Sequence, residues 1–231
     1  MATWQSPTVY TPPMFASYPH LAEPVGGTGE RDCEPEKKNW RLVVIGDQGD
    51  DQVQALFSQI KGFMKEAHGP DVGPGKNAKP KIGRNGMPMR PEMKENDDGE
   101  LVQTGRFTMN VKRALIHGGS KKEQGGPLIV DSQGSPWDRS ILIGNGSVVR
   151  VKLHFWAWDR TREREGVGLS AELHAVQVIE HVPYEGGGAP ITADGFGVVE
   201  GGAIAPKVEQ DDFQNLPQDD FSQQLRKAAE E

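Results

Sequence analysis

Residues 147–160 read SVVRVKLHFWAWDR. Val149, Val151, Leu153, Phe155 and Ala157 alternate with Arg150, Lys152, His154, Trp156, Trp158 and Arg160. A strict period of two predicts a strand, because successive side chains of a pleated chain leave opposite faces. One face needs a core. The other carries positive charge and two large rings, so it faces something other than the core. That pattern belongs to antiparallel sheets covered on one side, not to parallel sheets buried on both.

The neighbouring segments agree. GVGLSAELHAVQVIEHV (166–182) predicts a long strand in which Leu169, Ala171, Leu173 and Ala175 alternate before the apolar parity moves to Val176 and Val178. One inserted residue flips the faces, so this slip predicts a bulge or strong bend, as in a small closed barrel. Further strands are predicted at 39–45, 105–116, 127–131 and 141–143, with GNG (144–146) as a turn. Val53, Leu56, Phe57, Ile60, Phe63 and Met64 recur at helical spacing. Asp50 or Asp51 can cap that helix, Gly69 and Pro70 stop it, and its apolar stripe is read as core packing. Residues 1–35 read as irregular with a short edge strand. Residues 70–100 read as a long mobile loop rich in Gly and Pro. There Lys76, Lys79, Lys81, Arg84, Arg90 and Lys94 oppose Asp71 and Glu92. That loop suits a solvated linker and a nucleic-acid contact equally. The order is mainly β with one helix, a small barrel or sandwich.

Charge divides the chain. The net is −7, yet residues 101–164 hold eleven Lys/Arg against five Asp/Glu, while residues 199–231 hold eight acids against three bases. A basic middle and an acidic end imply an anionic ligand and a tail able to compete for its site. The tail repeats QDDF at 210–213 and 218–221, setting Asp211, Asp212 and Phe213 beside Asp219, Asp220 and Phe221. An acidic segment poor in aromatics does not fold alone. The expected division is a domain over 1–188 and a flexible Gly-rich, then acidic, tail over 189–231.

Several classes of function are set aside. Cys33 is the one cysteine, which excludes an intrachain disulfide or a Cys-based zinc site. No nucleophile elbow, zinc-protease or phosphate-loop signature occurs. His154 and His174 lie on successive strands without a third ligand, so no metal or cofactor is expected. Asp131 and Asp138 suit turn hydrogen bonds. The start lacks a leader pattern and no apolar run is long enough for a membrane span, so a soluble cytoplasmic protein, not an enzyme, is expected.

The alternating strand suggests what the anion is. A single nucleic-acid strand offers phosphates and unstacked bases. Lys/Arg meet the first and aromatic faces the second, at about 1–3 kcal/mol per stacked base whatever its identity. Arg150, Lys152 and Arg160 supply charge. Trp156 and Trp158 stand about 7 Å apart on one face. On the strand over 105–116, Arg106, Thr108, Asn110 and Lys112 lie opposite Phe107, Met109 and Val111, with Arg113 adjacent. Packing of both Trp rings under a loop or partner remains the competing reading.

The block LIVDSQGSPWDRSILIGNGSVVRVKLHFWAW, followed by GVGLSAELHAVQVIEHVPYEGGG, resembles the core of the single-stranded-DNA-binding proteins of T-seven-like, short-tailed bacteriophages. The shared features are the VDS-x-G strand end, the Gly-rich turn before V-K, the long last strand closed by GGG and the acidic C-terminal tail. The resemblance spans about residues 127–188 and extends weakly through the helix. It implies an OB-fold, a five-stranded Greek-key barrel with one helix. It further implies coating and annealing of single-stranded DNA in phage replication, recombination and repair, a homodimer, and action in the cytoplasm of the infected bacterium. The acidic tail would contact the phage DNA polymerase and helicase–primase and cover the DNA cleft. Trp158 takes the place of a stacking aromatic and Lys152 that of the V-K lysine; Trp156 has no counterpart. The family's tail ends on an aromatic residue, whereas ten residues follow Phe221 here. The rivals are a phage structural or adaptor β-protein whose Trp pair is buried in assembly, and a metal-dependent nuclease using Asp131 or Asp138.

Overall fold

The computed structural model describes residues 4–27, 31–75 and 77–184. Among them are eight strands and one α-helix: β1 (Val9–Tyr10), β2 (Met14–Val25), β3 (Asn39–Asp47), α1 (Asp51–His68), β4 (Met89–Glu95), β5 (Leu101–Ala114), β6 (Leu128–Val130), β7 (Val148–Arg160) and β8 (Gly166–Glu180). β7 and β8 pair antiparallel along their whole length, from Val148 opposite Glu180 to Arg160 opposite Gly166. β7 also pairs with β2, β2 with β3, and β3 with β5, all antiparallel; β5 runs parallel to β8. The ring β2-β3-β5-β8-β7 therefore closes on itself. This is a mainly β, OB-like barrel with one helix. β1 extends along β7, β4 forms a hairpin with β5, and β6 lies parallel beside β8.

The predicted inward face of β7 is the centre of the core. Val149, Val151, Leu153 and Phe155 are fully buried. Each such burial contributes about 1.5–3 kcal/mol, and a one-residue slip would forfeit all of them together, which pins the register. Helix α1 turns Val53, Leu56, Ile60, Phe63 and Met64 into the same core. The Phe63 ring lies 5.9 Å from that of Phe155. Asp50 caps the helix by accepting the Gln52 and Val53 N–H groups at 2.7 and 3.1 Å. Gly69 ends it at φ 98°, a conformation that glycine adopts freely.

Four elements differ from the sequence reading. The edge strand within residues 1–35 is β1, but the same stretch also provides β2, a 12-residue barrel strand. Register breaks between Ser17 and His20, and between His20 and Val25, move its buried side from Met14 and Ala16 to Leu21 and Val25. With Pro19 and Pro24 inside the strand, no strict alternation survives to be read. The expected loop over 70–100 contains β4, which buries Met89 alone and so has no periodic signal. Residues 141–143 are not a strand; Ile143 makes a single bridge to Pro183. The turn before it is held by Asp138, which accepts the Ser140 N–H at 2.9 Å. The strand expected at 127–131 contracts to Leu128–Val130. The parity slip in β8 is a bulge, as predicted: Lys152 faces Ala175 while Leu153 faces Leu173, which leaves His174 as the additional residue.

Candidate nucleic-acid interface

The outward face of β7 meets two different environments. From Arg150 to Trp156 it is flanked by the N-terminal segment, which pairs along one edge of β7, and by β8 on the other. Arg150 Nε donates to the Thr11 carbonyl at 3.4 Å, and Lys152 Nζ sits 5.9 Å from the centre of the Tyr10 ring. The His154 ring nitrogens contact the Gln5 amide and the Thr8 hydroxyl, the latter at 2.8 Å. The Trp156 indole N–H donates to Glu172 Oε2. Arg113 Nη1 lies 4.0 Å from the other Glu172 oxygen, and Arg113 Nε donates to the Gly125 carbonyl at 2.8 Å. His174 joins this cluster, its ring 4.6 Å from that of His154. Burial pushes the His174 pKa down, and the neighbouring His154, Arg113 and Lys152 add to that against the pull of Glu172.

Trp158 and Arg160, four to six residues on from His154, turn instead to an open groove of about 1570 Å³. That exceeds the 300–1,000 Å³ typical of a small-molecule pocket. Its floor is the outer face of β3 and β5, where Arg41 stands opposite Lys112 and Val43 opposite Asn110. Tyr18 and His20 of β2 flank it, and His20 pairs with Arg41 in the sheet. Residues 80–88 and the turn between β7 and β8 supply the remainder. Those two segments are tied together: Gly83 N–H donates to the Val167 carbonyl at 2.9 Å, Val167 N–H to Lys81 at 3.1 Å, and Leu169 N–H to Gly86 at 2.9 Å.

The electrostatics of the groove are one-sided. Among the described residues, Arg41, Lys81, Arg84, Arg90, Lys112, Arg160 and Arg164 line it, against the single carboxylate of Glu165. Glu165 is itself paired with Arg160 at 3.0 Å. Like charges directly opposite in an antiparallel pair repel, so Arg41 facing Lys112 opposes folding. Arg41 Nη1 reaches the Gly27 carbonyl; Lys112 has no ion-pair partner among the described residues. An anion lying across both would relieve the repulsion. His20 is held below its ordinary pKa by burial first, then by the Arg41 and Arg31 charges.

Trp158 rests on glycine. It pairs across the sheet with Gly168, where an added Cβ would come 2.4 Å from the indole and 2.4 Å from Gly86 Cα. A Cβ at Gly83 would meet the Glu165 carbonyl at 2.3 Å and the indole at 3.1 Å. The Arg160 guanidinium lies 5.7 Å from the ring centre, within cation–π reach.

Of the side chains singled out in the sequence, the structure therefore brings Lys81, Arg84, Arg90, Lys112, Trp158 and Arg160 to one groove. Lys152, His154, Trp156 and Arg113 are half-buried and gathered away from the groove around Glu172 and Tyr10, while Arg150 is exposed beside Thr11. Arg106 stands outside the groove, paired with Glu92 at 2.7 Å. Asp131 and Asp138 serve turns; Asp131 accepts the Gln133 and Ser135 N–H groups at 2.9 and 2.8 Å. Asp211, Asp212, Phe213, Asp219, Asp220 and Phe221 lie outside the described residues, as does the expected boundary at 188/189. Arg41 is not among the side chains singled out in the sequence, although its alternation within NWRLVVI marks it as outward-facing. Tyr18 and His20 carry no pattern that would reveal them. Among the described residues no helix is long and apolar enough to cross a membrane.

No protein-family model and no curated protein matches the chain. Solved structures do. The crystal structure of gp2.5, a single-stranded DNA binding protein encoded by bacteriophage T7, matches 88% of this chain over its own full length, at 20% identity and a TM-score of 0.56. The single-stranded DNA-binding protein of bacteriophage Enc34, in complex with single-stranded DNA, matches 78% of this chain and 89% of its own, at 14% identity and a TM-score of 0.51. This chain has the fold of phage single-stranded-DNA-binding proteins.

Proposed function

We propose that this protein binds single-stranded DNA along the groove over β3 and β5, without sequence preference, and coats and anneals strands during phage DNA replication and recombination. The observation that carries the reading is the pair Arg41 and Lys112, opposed on the floor of a groove that, among the described residues, has one carboxylate and seven cations. Such an arrangement repels itself until a polyanion neutralises it, and rings at the groove edge give unstacked bases a surface. Two proteins of like fold are single-stranded-DNA-binding proteins, one of them seen with its DNA. Lys112, Trp158 and Arg160 are assigned to DNA contact together with Arg41. The acidic tail competes for the groove and, through its DDF units, meets replication partners such as the phage polymerase and helicase–primase; the working unit is a homodimer.

The test is a fluorescence titration with oligo-dT and with duplex DNA at two salt concentrations, on the full chain and on one ending at residue 205. The single strand is expected to bind more tightly than the duplex, to weaken as salt rises because phosphate contacts release counterions, and to bind the shortened chain more tightly. Equal affinity for duplex, or indifference to salt, would sink the reading. Unchanged affinity in the shortened chain would remove the tail's competing role, and a monomer by light scattering would remove the dimer.

A further inference from the structure

Tyr18 lies within β2 at φ 47°, in the left-handed region that a bulky side chain rarely enters. The register of β2 against β3 breaks between Ser17 and His20, so this residue sits in a bulge, a device that re-aims a side chain. Its backbone N–H does not go unpaired: it donates to Asn145 Oδ1 at 2.6 Å. Asn145 is the centre of the GNG turn. There the flanking Gly146 has φ 87°, and a Cβ at Gly144 would strike the Pro183 carbonyl at 2.5 Å. Two glycines and one asparagine thus hold a strained tyrosine in place.

The strain does not serve packing, because Tyr18 is 70% exposed. Tyr18 lines the groove together with Arg41 and His20. Trp158 lines that groove too, but its indole rests on Gly83 and Gly168 and lies under the Arg160 guanidinium. Tyr18 is the more open ring.

We propose that Tyr18 is a base-stacking platform of the groove and that Asn145 is its positioning residue. The assignment rests on the nucleic-acid reading above and adds the chemistry of the ligand at this point: an unstacked nucleobase rather than a phosphate.

The test compares an oligo-dT with an abasic deoxyribose-phosphate chain of equal length and charge. The full-length wild type is measured beside Tyr18→Phe, Tyr18→Asn and Asn145→Ala, with thermal melts of each. Asn tolerates the left-handed backbone, so Tyr18→Asn removes the ring without adding strain. That variant is expected to lose about fivefold or more in affinity for oligo-dT and nothing for the abasic chain. Tyr18→Phe should bind both as wild type does, and Asn145→Ala should lower the ratio of the two affinities by a smaller factor. If wild type binds oligo-dT and Tyr18→Asn binds it equally well, or loses equally on both chains, the stacking assignment is overturned and the groove reading stands. If wild type binds neither chain, the groove reading fails and this assignment with it.

Discussion

Trp156 and Trp158 sit two residues apart on the same outward face of one strand, and their surroundings have little in common. Trp156 gives its indole N–H to Glu172 within a cluster of Arg113, His154 and His174, on a strand edge bridged by Gln5. Trp158 lies on two glycines at the rim of a cationic groove. The alternation that orients both is local. Both rings are half-buried, and what surrounds each comes from segments distant in sequence: residues before β2 beside Trp156, and residues 80–88 beside Trp158. A long strand wrapped around a small barrel passes under different neighbours as it twists, so a shared face is no guarantee of a shared role.

The largest effect expected from breaking this contrast lies on the groove floor. Arg41→Glu combined with Lys112→Glu replaces a repelling cation pair by a repelling anion pair. Folding stability should change little, since the sheet carries a like-charge pair in either form. Affinity for single-stranded DNA should fall by about a hundredfold or more at low salt, with a shallower dependence on salt, because at least two phosphate contacts are lost. The salt titration and a urea melt read the two quantities separately. Retained affinity would move the DNA path away from β3 and β5.

The two tryptophans themselves sharpen it next. Trp158→Ala should weaken single-strand binding by about 1–3 kcal/mol, and Trp158→Tyr should recover most of that loss. Trp156→Ala should leave binding within about twofold but cost about 1–3 kcal/mol of stability, because the half-buried Glu172 carboxylate loses a donor. The contrast collapses if Trp156→Ala weakens DNA binding as much as Trp158→Ala while melting as wild type does.

Much of the fold is legible in the chain because its signals are local. The period of two in β7, the helical stripe and Asp50 cap of α1, and the parity slip around His174 are each contained within fewer than twenty residues. β2 is not legible, since two register breaks and two prolines erase its alternation. β4 is not legible either, because an arm that buries only Met89 has no pattern to show. The groove is harder still. Arg41 and Lys112 become neighbours through β3–β5 pairing, and residues 80–88 reach Trp158 at Gly83 and its partner Gly168 at Gly86, close approaches that leave no periodic trace. Sequence reading recognised cations and rings on outward faces. Only the closed barrel decides which of them share a site.

Acidification should separate the Glu172 cluster from the groove in a last, smaller way. His174 belongs to the first and His20 to the second, and both have pKa values lowered below 6.5 by burial. A histidine whose pKa is lower folded than unfolded binds fewer protons in the native state. Its contribution to stability is therefore present above about pH 6.5 and is lost as pH falls through that value toward the folded pKa. Stability should decline from pH 7 to pH 5, and less steeply in His174→Gln, which frees Glu172 to pair with Arg113 and the Trp156 indole alone. Binding should run the opposite way. Phosphates beside His20 favour its charged form against the Arg41 and Arg31 charges that oppose it, so DNA binding takes up a proton and affinity rises as pH falls. A rise of about twofold to fivefold between pH 7 and pH 5.5 is expected, and His20→Gln should flatten it without altering the pH dependence of the His174 cluster. Melts and titrations across that range would measure both. Should His174→Gln remove the affinity rise while His20→Gln leaves it intact, the proton is being taken up on the Glu172 half of β7, and the division of that face into a packed half and a binding half is wrong.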